Sequence, residues 1–167
     1  MKRTIATLAV IAAAGLATLA GGTAAFASNG QDQVAAVRAV TAKYHDVRVA
    51  IADGYVPTND CVPGMGYHYV KPANVMDPAI DPMNPEVLLF APSPDGVKLV
   101  GVEYMKVDAD QDLSTDDDRP SVLGQLFEGP MLGHEPGMPI HYDKHVWIWS
   151  HNTAGMFNHE NPDITCA

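Results

Sequence analysis

Cysteine, positive charge and long apolar runs are what this sequence has least of, and each shortage closes off a class of function. There are two cysteines in 167 residues, Cys61 and Cys166, and no C-x-x-C pair, which argues against clustered-thiol metal sites and dithiol redox motifs. Lysine and arginine number 10 against 20 acidic residues, a formal charge of -10. A chain of that sign lacks the electrostatic footprint for nucleic acid or an anionic membrane surface. Only one apolar run is long, from Ile5 to Ala20, at the start of the chain.

That run follows Lys2 and Arg3, and Gly21-Gly22 and then Ala25-Phe26-Ala27-Ser28 come after it. A basic start, an apolar stretch and a small-x-small site predict a secretory signal peptide over residues 1–27. The run is alanine-rich and falls short of the roughly 20 strongly apolar residues that a membrane span needs. No cysteine follows it to carry a lipid, and Lys2-Arg3 is not a twin-arginine pair. Cleavage after Ala27 leaves residues 28–167, which is 140 residues and close to the commonest size of a single domain. It also removes Lys2 and Arg3, so the formal charge of -10 becomes -12. The expected product is a secreted, extracellular, acidic globular domain with no membrane anchor after signal cleavage and no nucleic-acid partner.

In an oxidising compartment Cys61 and Cys166 are expected to pair. A bridge closing a loop of about 100 residues stabilises by about 4 to 5 kcal/mol on the chain-entropy account and ties the tail to the body.

From Gln33 to Asp53 the apolar residues Val34, Val37, Val40, Tyr44, Val47 and Ile51 recur every three or four positions, which predicts one amphipathic helix. Gly54 is placed to end it in the left-handed conformation, and His45 falls on the flank of the stripe. Prolines at 57, 63, 72, 78, 82, 85, 92 and 94 then rule out another long helix. Glu86–Ala91 and Val97–Val107 read as strands joined by a Ser93-Pro94-Asp95-Gly96 turn. Ile140–Ser150 is the strongest remaining strand, and Tyr67–Val70 a shorter one. There is no internal repeat and no linker.

Chemistry is concentrated in His141-Tyr142-Asp143-Lys144-His145-Val146-Trp147-Ile148-Trp149. Strand alternation puts His141, Asp143, His145, Trp147 and Trp149 on one face. Same-face neighbours are about 6.6 Å apart along a strand, so His141 with Asp143, or Asp143 with His145, can chelate one ion. The two histidines, about 13 Å apart, cannot do so without a bulge or bend. A helical zinc-hydrolase reading fails because Tyr142, not glutamate, follows the first histidine. The alternative is a set of polar groups hydrogen-bonded to one another in a core strand.

Further donors must come from elsewhere. In Val97–Val107, alternation places Glu103 with Leu99, Gly101, Met105 and Val107, opposite Val102 and Tyr104. A carboxylate among apolar neighbours is costly unless paired or metal-bound, so Glu103 is a candidate ligand or general base; the competing reading is an acid on the solvent side of an edge strand. His68, in Gly64-Met65-Gly66-Tyr67-His68-Tyr69, sits where two glycines allow close backbone approach. With Glu103 and His141 it makes a set of imidazoles and a carboxylate suited to zinc, iron, copper or manganese. His134 and Glu135 lie in a loop leading into the histidine strand and can close over such a site. Met131 and Met138 nearby keep copper in play, whereas His151 and His159, in Asn- and Gly-rich turns, are expected at the surface. The run Asp108, Asp110, Asp112, Asp116, Asp117, Asp118 begins like a calcium loop, but Leu113 and Arg119 break the pattern and a solvated loop is expected.

Asp53-Gly54-Tyr55, Gly64-Met65-Gly66-Tyr67-His68-Tyr69, Val102-Glu103-Tyr104, Gly129-Pro130-Met131 and His141-Tyr142-Asp143-Lys144-His145-Val146-Trp147 together resemble an uncharacterised family of exported bacterial proteins. The likeness covers most of the chain after the signal segment. The His-aromatic-Asp-x-His element is also similar to one in a broader group of secreted domains of unknown function. The resemblance implies export and one domain and leaves the chemistry open. The His-x-His element of cupin metal sites is missing.

The fold expected from all this is α+β: an N-terminal amphipathic helix packed on a mainly antiparallel sheet or partial β-barrel, stapled by Cys61–Cys166. The functional expectation is a divalent metal held by His68, Glu103 and His141 or His145, with Asp143 as a ligand or orienting partner. If the site is catalytic, its open position would activate water or oxygen. Two other classes compete with it. One is a non-catalytic module binding a small molecule in a pocket of tyrosines with Trp147 and Trp149, and the other is a homo-oligomeric envelope component.

Overall fold

The computed structural model describes residues 30–166. The expected signal peptide, residues 1–27, lies outside the described residues. Helix α1 (Gly30–Thr41) tightens into a 3-10 turn at Ala42–His45, and α2 (Val47–Ala52) follows. The periodicity predicts one helix here, at the N-terminal end; the helix instead starts at Gly30 and is interrupted at Asp46. Asp46 is extended, and its carboxylate accepts the Arg48 N–H at 3.0 Å, so it caps a new helix rather than continuing the old one. The interruption rotates the apolar stripe. Val34, Val37, Tyr44 and Ala50 are buried, while Val40 and Ile51 face solvent. Gly54, at φ 93°, ends α2 as its sequence position suggests.

The body is a six-stranded sheet in the order β1-β2-β3-β4-β8-β7, antiparallel throughout, and it is open rather than closed into a barrel. Its strands are β1 (Val56–Val62), β2 (Gly66–Val70), β3 (Val87–Ser93), β4 (Gly96–Val107), β7 (Glu128–Met131) and β8 (His141–Val146). The short α3 (Pro72–Val75) lies between β2 and β3, and β5 (Ser121–Val122) pairs with β6 (Gln125–Leu126) as a separate ribbon. The β3–β4 hairpin turns through Pro94-Asp95, as the turn residues imply. Gly66 is required where it stands. It has φ 88°, and a Cβ there would lie 2.3 Å from the Phe90 carbonyl oxygen, so only glycine lets β2 approach β3 this closely.

Alternation gives the sheet two different faces. One carries Tyr69, Leu88, Phe90, Leu99, Val102, Tyr104, Tyr142 and Val146, and it packs with Val34, Val37, Tyr44 and Ala50 of the helical segment in the main core. Each such fully buried aliphatic side chain contributes roughly 1.5–3 kcal/mol of hydrophobic stabilisation. The other face carries Val87, Leu89, Ala91, Val100 and Trp147, which cluster with Ile164 of the C-terminal segment.

Unbroken alternation along Val97–Val107 puts Leu99 on the Glu103 side. A bulge overturns this: Gly101 pairs with Leu89 but Leu99 pairs with Phe90, so Val100 is an extra residue in β4. Leu99 is thereby turned to the helix side and Val100 to the Glu103 side.

The disulfide Cys61–Cys166 is formed across a separation of 105 residues. Beside it, Gly64 N–H donates to the Ile164 carbonyl at 3.0 Å and Asn161 N–H donates to the Gly64 carbonyl at 2.8 Å. The tail is thus stitched to the β1–β2 turn, on the sheet face away from the helices.

Candidate metal centre

Register explains which polar side chains meet. Glu103 on β4 is paired with His145 on β8 and with Val87 on β3, while His68 on β2 is paired with Leu89, one same-face step along β3. Met105 and Asp143 form the next same-face row. His68, Glu103, Asp143 and His145 therefore project from three strands onto the face away from the helices. Asp143 and His145 share one face of β8, as alternation implies, and Glu103 on β4 projects to that same side.

These side chains are close. His68 Nε2 lies 3.5 Å from Glu103 Oε2, and His145 Nε2 lies 3.7 Å from the same oxygen. On the other side of the His145 ring, Nδ1 is 3.9 Å from Asp143 Oδ1, and His159 Nδ1 is 3.5 Å from that oxygen. In each of two groups, His68–Glu103–His145 and Asp143–His145–His159, the donor atoms lie within 4.8 Å of one another, a spacing that can hold a metal ion. Glu103 Oε2, Asp143 Oδ1, both nitrogens of His145 and Nδ1 of His159 are buried without a hydrogen-bond partner.

Burial sets the electrostatics. Desolvation pushes the Glu103 carboxyl well above the usual carboxylate range, and the nearby Asp143 and Glu86 add to the rise. It also pushes the imidazoles down, His68 to about 4 and His145 to about 3, so both are neutral at physiological pH with lone pairs available. Burial works against the Asp143 carboxylate, but His159, His145 and His141 outweigh it and hold Asp143 below its ordinary value. His159 is raised by its carboxylate neighbour Asp143. At 3.5 Å that contact is a long ion pair rather than a tight hydrogen bond.

The centre opens into a cavity of about 390 Å³. Thr58, Asp60 and Val62 of β1, Met65, Val70 and Val87, Met105, and His134, Glu135 and Met138 of the β7–β8 loop line it together with the five donors. That loop takes the position over the site that its place before β8 suggests. Met138 reaches the cavity, whereas Met131 is paired with His141 on the edge strand.

His141 belongs to neither donor group. It is buried, its Nδ1 lies 3.2 Å from the Pro139 carbonyl, and its ring packs against His134 at 5.2 Å. The strand spacing accounts for this, because His141 is two same-face steps from His145 and no bulge in β8 brings them together. His151 is exposed, as expected, but His159 is not a simple surface residue.

His159 is held in place from both sides. The Trp147 indole donates to the Asn158 carbonyl at 2.7 Å, and Glu160 N–H donates to Asn158 Oδ1 at 3.1 Å. The signal that points to it is indirect: a histidine seven positions before Cys166 is carried to the β1–β2 region by the disulfide.

The acidic run is held by hydrogen bonds: Asp118 accepts from Tyr142 Oη at 2.8 Å and from Ala109 N–H at 3.0 Å, and Asp108 accepts from Asp112 N–H at 3.0 Å. Tyr55, Tyr104 and Tyr142 are buried core residues, and among the described residues no tyrosine lines this cavity or a second one bordered by Trp147, Trp149 and Arg38. Comparison with protein-family models, with curated proteins and with solved structures finds no match to this chain.

Proposed function

We propose that this is an exported metal-binding protein whose primary ion sits among His68 Nε2, Glu103 and His145 Nε2. The observation that carries the reading is Glu103: a carboxyl group 5 % exposed, with an oxygen that no donor satisfies and two neutral imidazoles within 3.7 Å. An unpaired buried carboxylate costs several kcal/mol; a proton would neutralise it but leave at least one imidazole lone pair unused, whereas a divalent cation would neutralise it and use both. Two imidazoles and one carboxylate suit zinc, iron, manganese or copper, and three protein ligands leave coordination positions free.

Those free positions would face the cavity, whose volume of about 390 Å³ falls within the range of small-molecule sites. Water or a small organic ligand could then reach the ion, which would polarise it or lower the pKa of the bound water. Export is supported by the disulfide, which persists in oxidising compartments, together with the signal-like start of the sequence.

The test is elemental mass spectrometry on the exported protein, made without a histidine tag and purified without chelators. About one or more equivalents of a transition metal, lost in His145→Ala and Glu103→Gln, is the expected result. A protein that stays metal-free after incubation with zinc, iron(II), manganese and copper would overturn the reading. It would leave the cavity as a metal-free binding site for a small apolar molecule, favoured by its Val62, Val70, Val87 and methionine lining.

A further inference from the structure

The primary site uses one nitrogen of His145 and leaves the other unexplained. Resting on the metal-binding reading above, we infer that the protein holds a pair of ions, one on each ring nitrogen of His145. The second position is formed by His145 Nδ1, Asp143 and His159.

Three observations carry this. Both nitrogens of a 1 % exposed imidazole lack a hydrogen-bond partner, which is rare for a buried histidine, since one ring N–H ordinarily finds a carbonyl or carboxylate. The orphaned atoms that face the His145 ring then sort by side. Glu103 Oε2 lies towards Nε2, and Asp143 Oδ1 lies towards Nδ1 with His159 Nδ1 beside it. Finally, the contacts on the Nδ1 side, at 3.9 and 3.5 Å, are too long for good hydrogen bonds. They suit donors that each stand about 2 Å from a shared central ion.

A histidine serving a single metal through Nε2 would instead be expected to give its Nδ1–H to Asp143 in a short bond. The gap between His145 and Asp143 is what separates the two arrangements. All five donors line the same cavity, so both positions are reached from one opening. His159, with its side chain 32 % exposed, stands on the solvent side of Asp143. Filling the second position replaces the remaining ring N–H of His145 with a metal–nitrogen bond. The proton leaves to solvent, and the ring becomes an imidazolate shared by the two ions.

Copper(II) is the probe, titrated into metal-free protein and followed by electron paramagnetic resonance and by mass spectrometry under non-denaturing conditions. In the unaltered protein the resonance should grow through the first equivalent and fall through the second, because ions bridged by an imidazolate couple magnetically, and the mass should show two ions per chain. In His159→Ala and His159→Gln the resonance should stop growing at one equivalent with no fall, and the mass should show one ion. Two ions per chain that persist in both variants, or no more than one in the unaltered protein, would overturn the inference. In the second case the single-ion reading survives. Failure to bind any ion would instead refute the primary site. Circular dichroism on both variants distinguishes a lost site from a lost fold.

Discussion

Glu103 and His145 are directly opposed across the β4–β8 pair, with 3.7 Å between Oε2 and Nε2. The carboxyl is buried and unsatisfied, and the imidazole is neutral. In Glu103→Gln the shape is kept and the charge is lost. The metal-free variant should be at least as stable as the parent near neutral pH, since ionising a buried carboxyl costs folding free energy. Its metal affinity should nevertheless fall by about 100-fold or more. Calorimetric titration and thermal unfolding in chelator measure the two effects separately. A variant that binds metal as tightly as the parent would show that Glu103 is not a ligand.

Metal should stabilise the fold. An ion bound only by the native state at 100 times its dissociation constant adds about 2.7 kcal/mol. For a chain of this size that raises Tm by on the order of 8 °C. Scanning calorimetry with and without a chelator reads the shift directly, and no shift with any of the four candidate metals would count against a site joining three strands.

Glu86 gives the clearest pH dependence outside the centre. It is 1 % exposed, its Oε2 accepts the Met105 N–H at 3.3 Å, and burial pushes its carboxyl from 4.5 up to about 7. A carboxyl whose folded value is raised contributes its full stability below about pH 4.5 and loses it as pH rises through 7. The loss approaches about 3 kcal/mol above pH 7. Glu86→Gln keeps an acceptor for Met105 and removes the proton. Denaturant unfolding in chelator from pH 5 to 8 should show the variant gaining on the parent with rising pH. Parallel curves for the two proteins would mean that Glu86 ionises without cost.

The disulfide holds both the fold and the tail that carries His159. Replacing Cys61 and Cys166 with alanine together should lower stability by about 4 kcal/mol, from the large loop that the bridge closes. Hydrogen exchange should then rise most at Gly64 and Asn161, whose N–H groups join the tail to the β1–β2 turn, and at Ile164, whose N–H closes a turn within the tail. Uniform loosening across the sheet would show that the bridge does not anchor the tail locally.

Gly66→Ala places a Cβ 2.3 Å from the Phe90 carbonyl oxygen at a φ of 88°. We expect a cost of about 2–4 kcal/mol and weakened metal binding, because His68 lies two residues along the displaced strand. Thermal unfolding and metal titration of the same sample test both effects. A neutral outcome would mean that β2 shifts without disturbing His68.

The local features were readable because their causes are local. The Pro94-Asp95 turn, the stop at Gly54 and the alternation that groups Asp143 with His145 depend on neighbouring residues alone. The break at Asp46 is not legible in the sequence, because a capping aspartate within an apolar stripe looks like an ordinary polar position until its carboxylate is seen to accept the Arg48 N–H. The bulge at Val100 was hidden for another reason: alternation assumes an unbroken ladder, and nothing in Leu99-Val100-Gly101 announces an extra residue.

By itself, the sequence determined the chemical inventory: an acidic chain, two cysteines able to pair, and histidines and carboxylates placed in strands. Tertiary structure decided which of them meet. Strand register set Glu103 against His145, and His68 one step away, leaving His141 out although it has the same donor chemistry and strand face as His145. The packing of the tail onto β1 brought in His159, which lies far along the chain from β2 and β4. Side-chain type is fixed residue by residue. Distances of 3.5 to 3.9 Å between donors on β2, β4, β8 and the tail depend on how strands far apart in the chain align, and no local pattern encodes that.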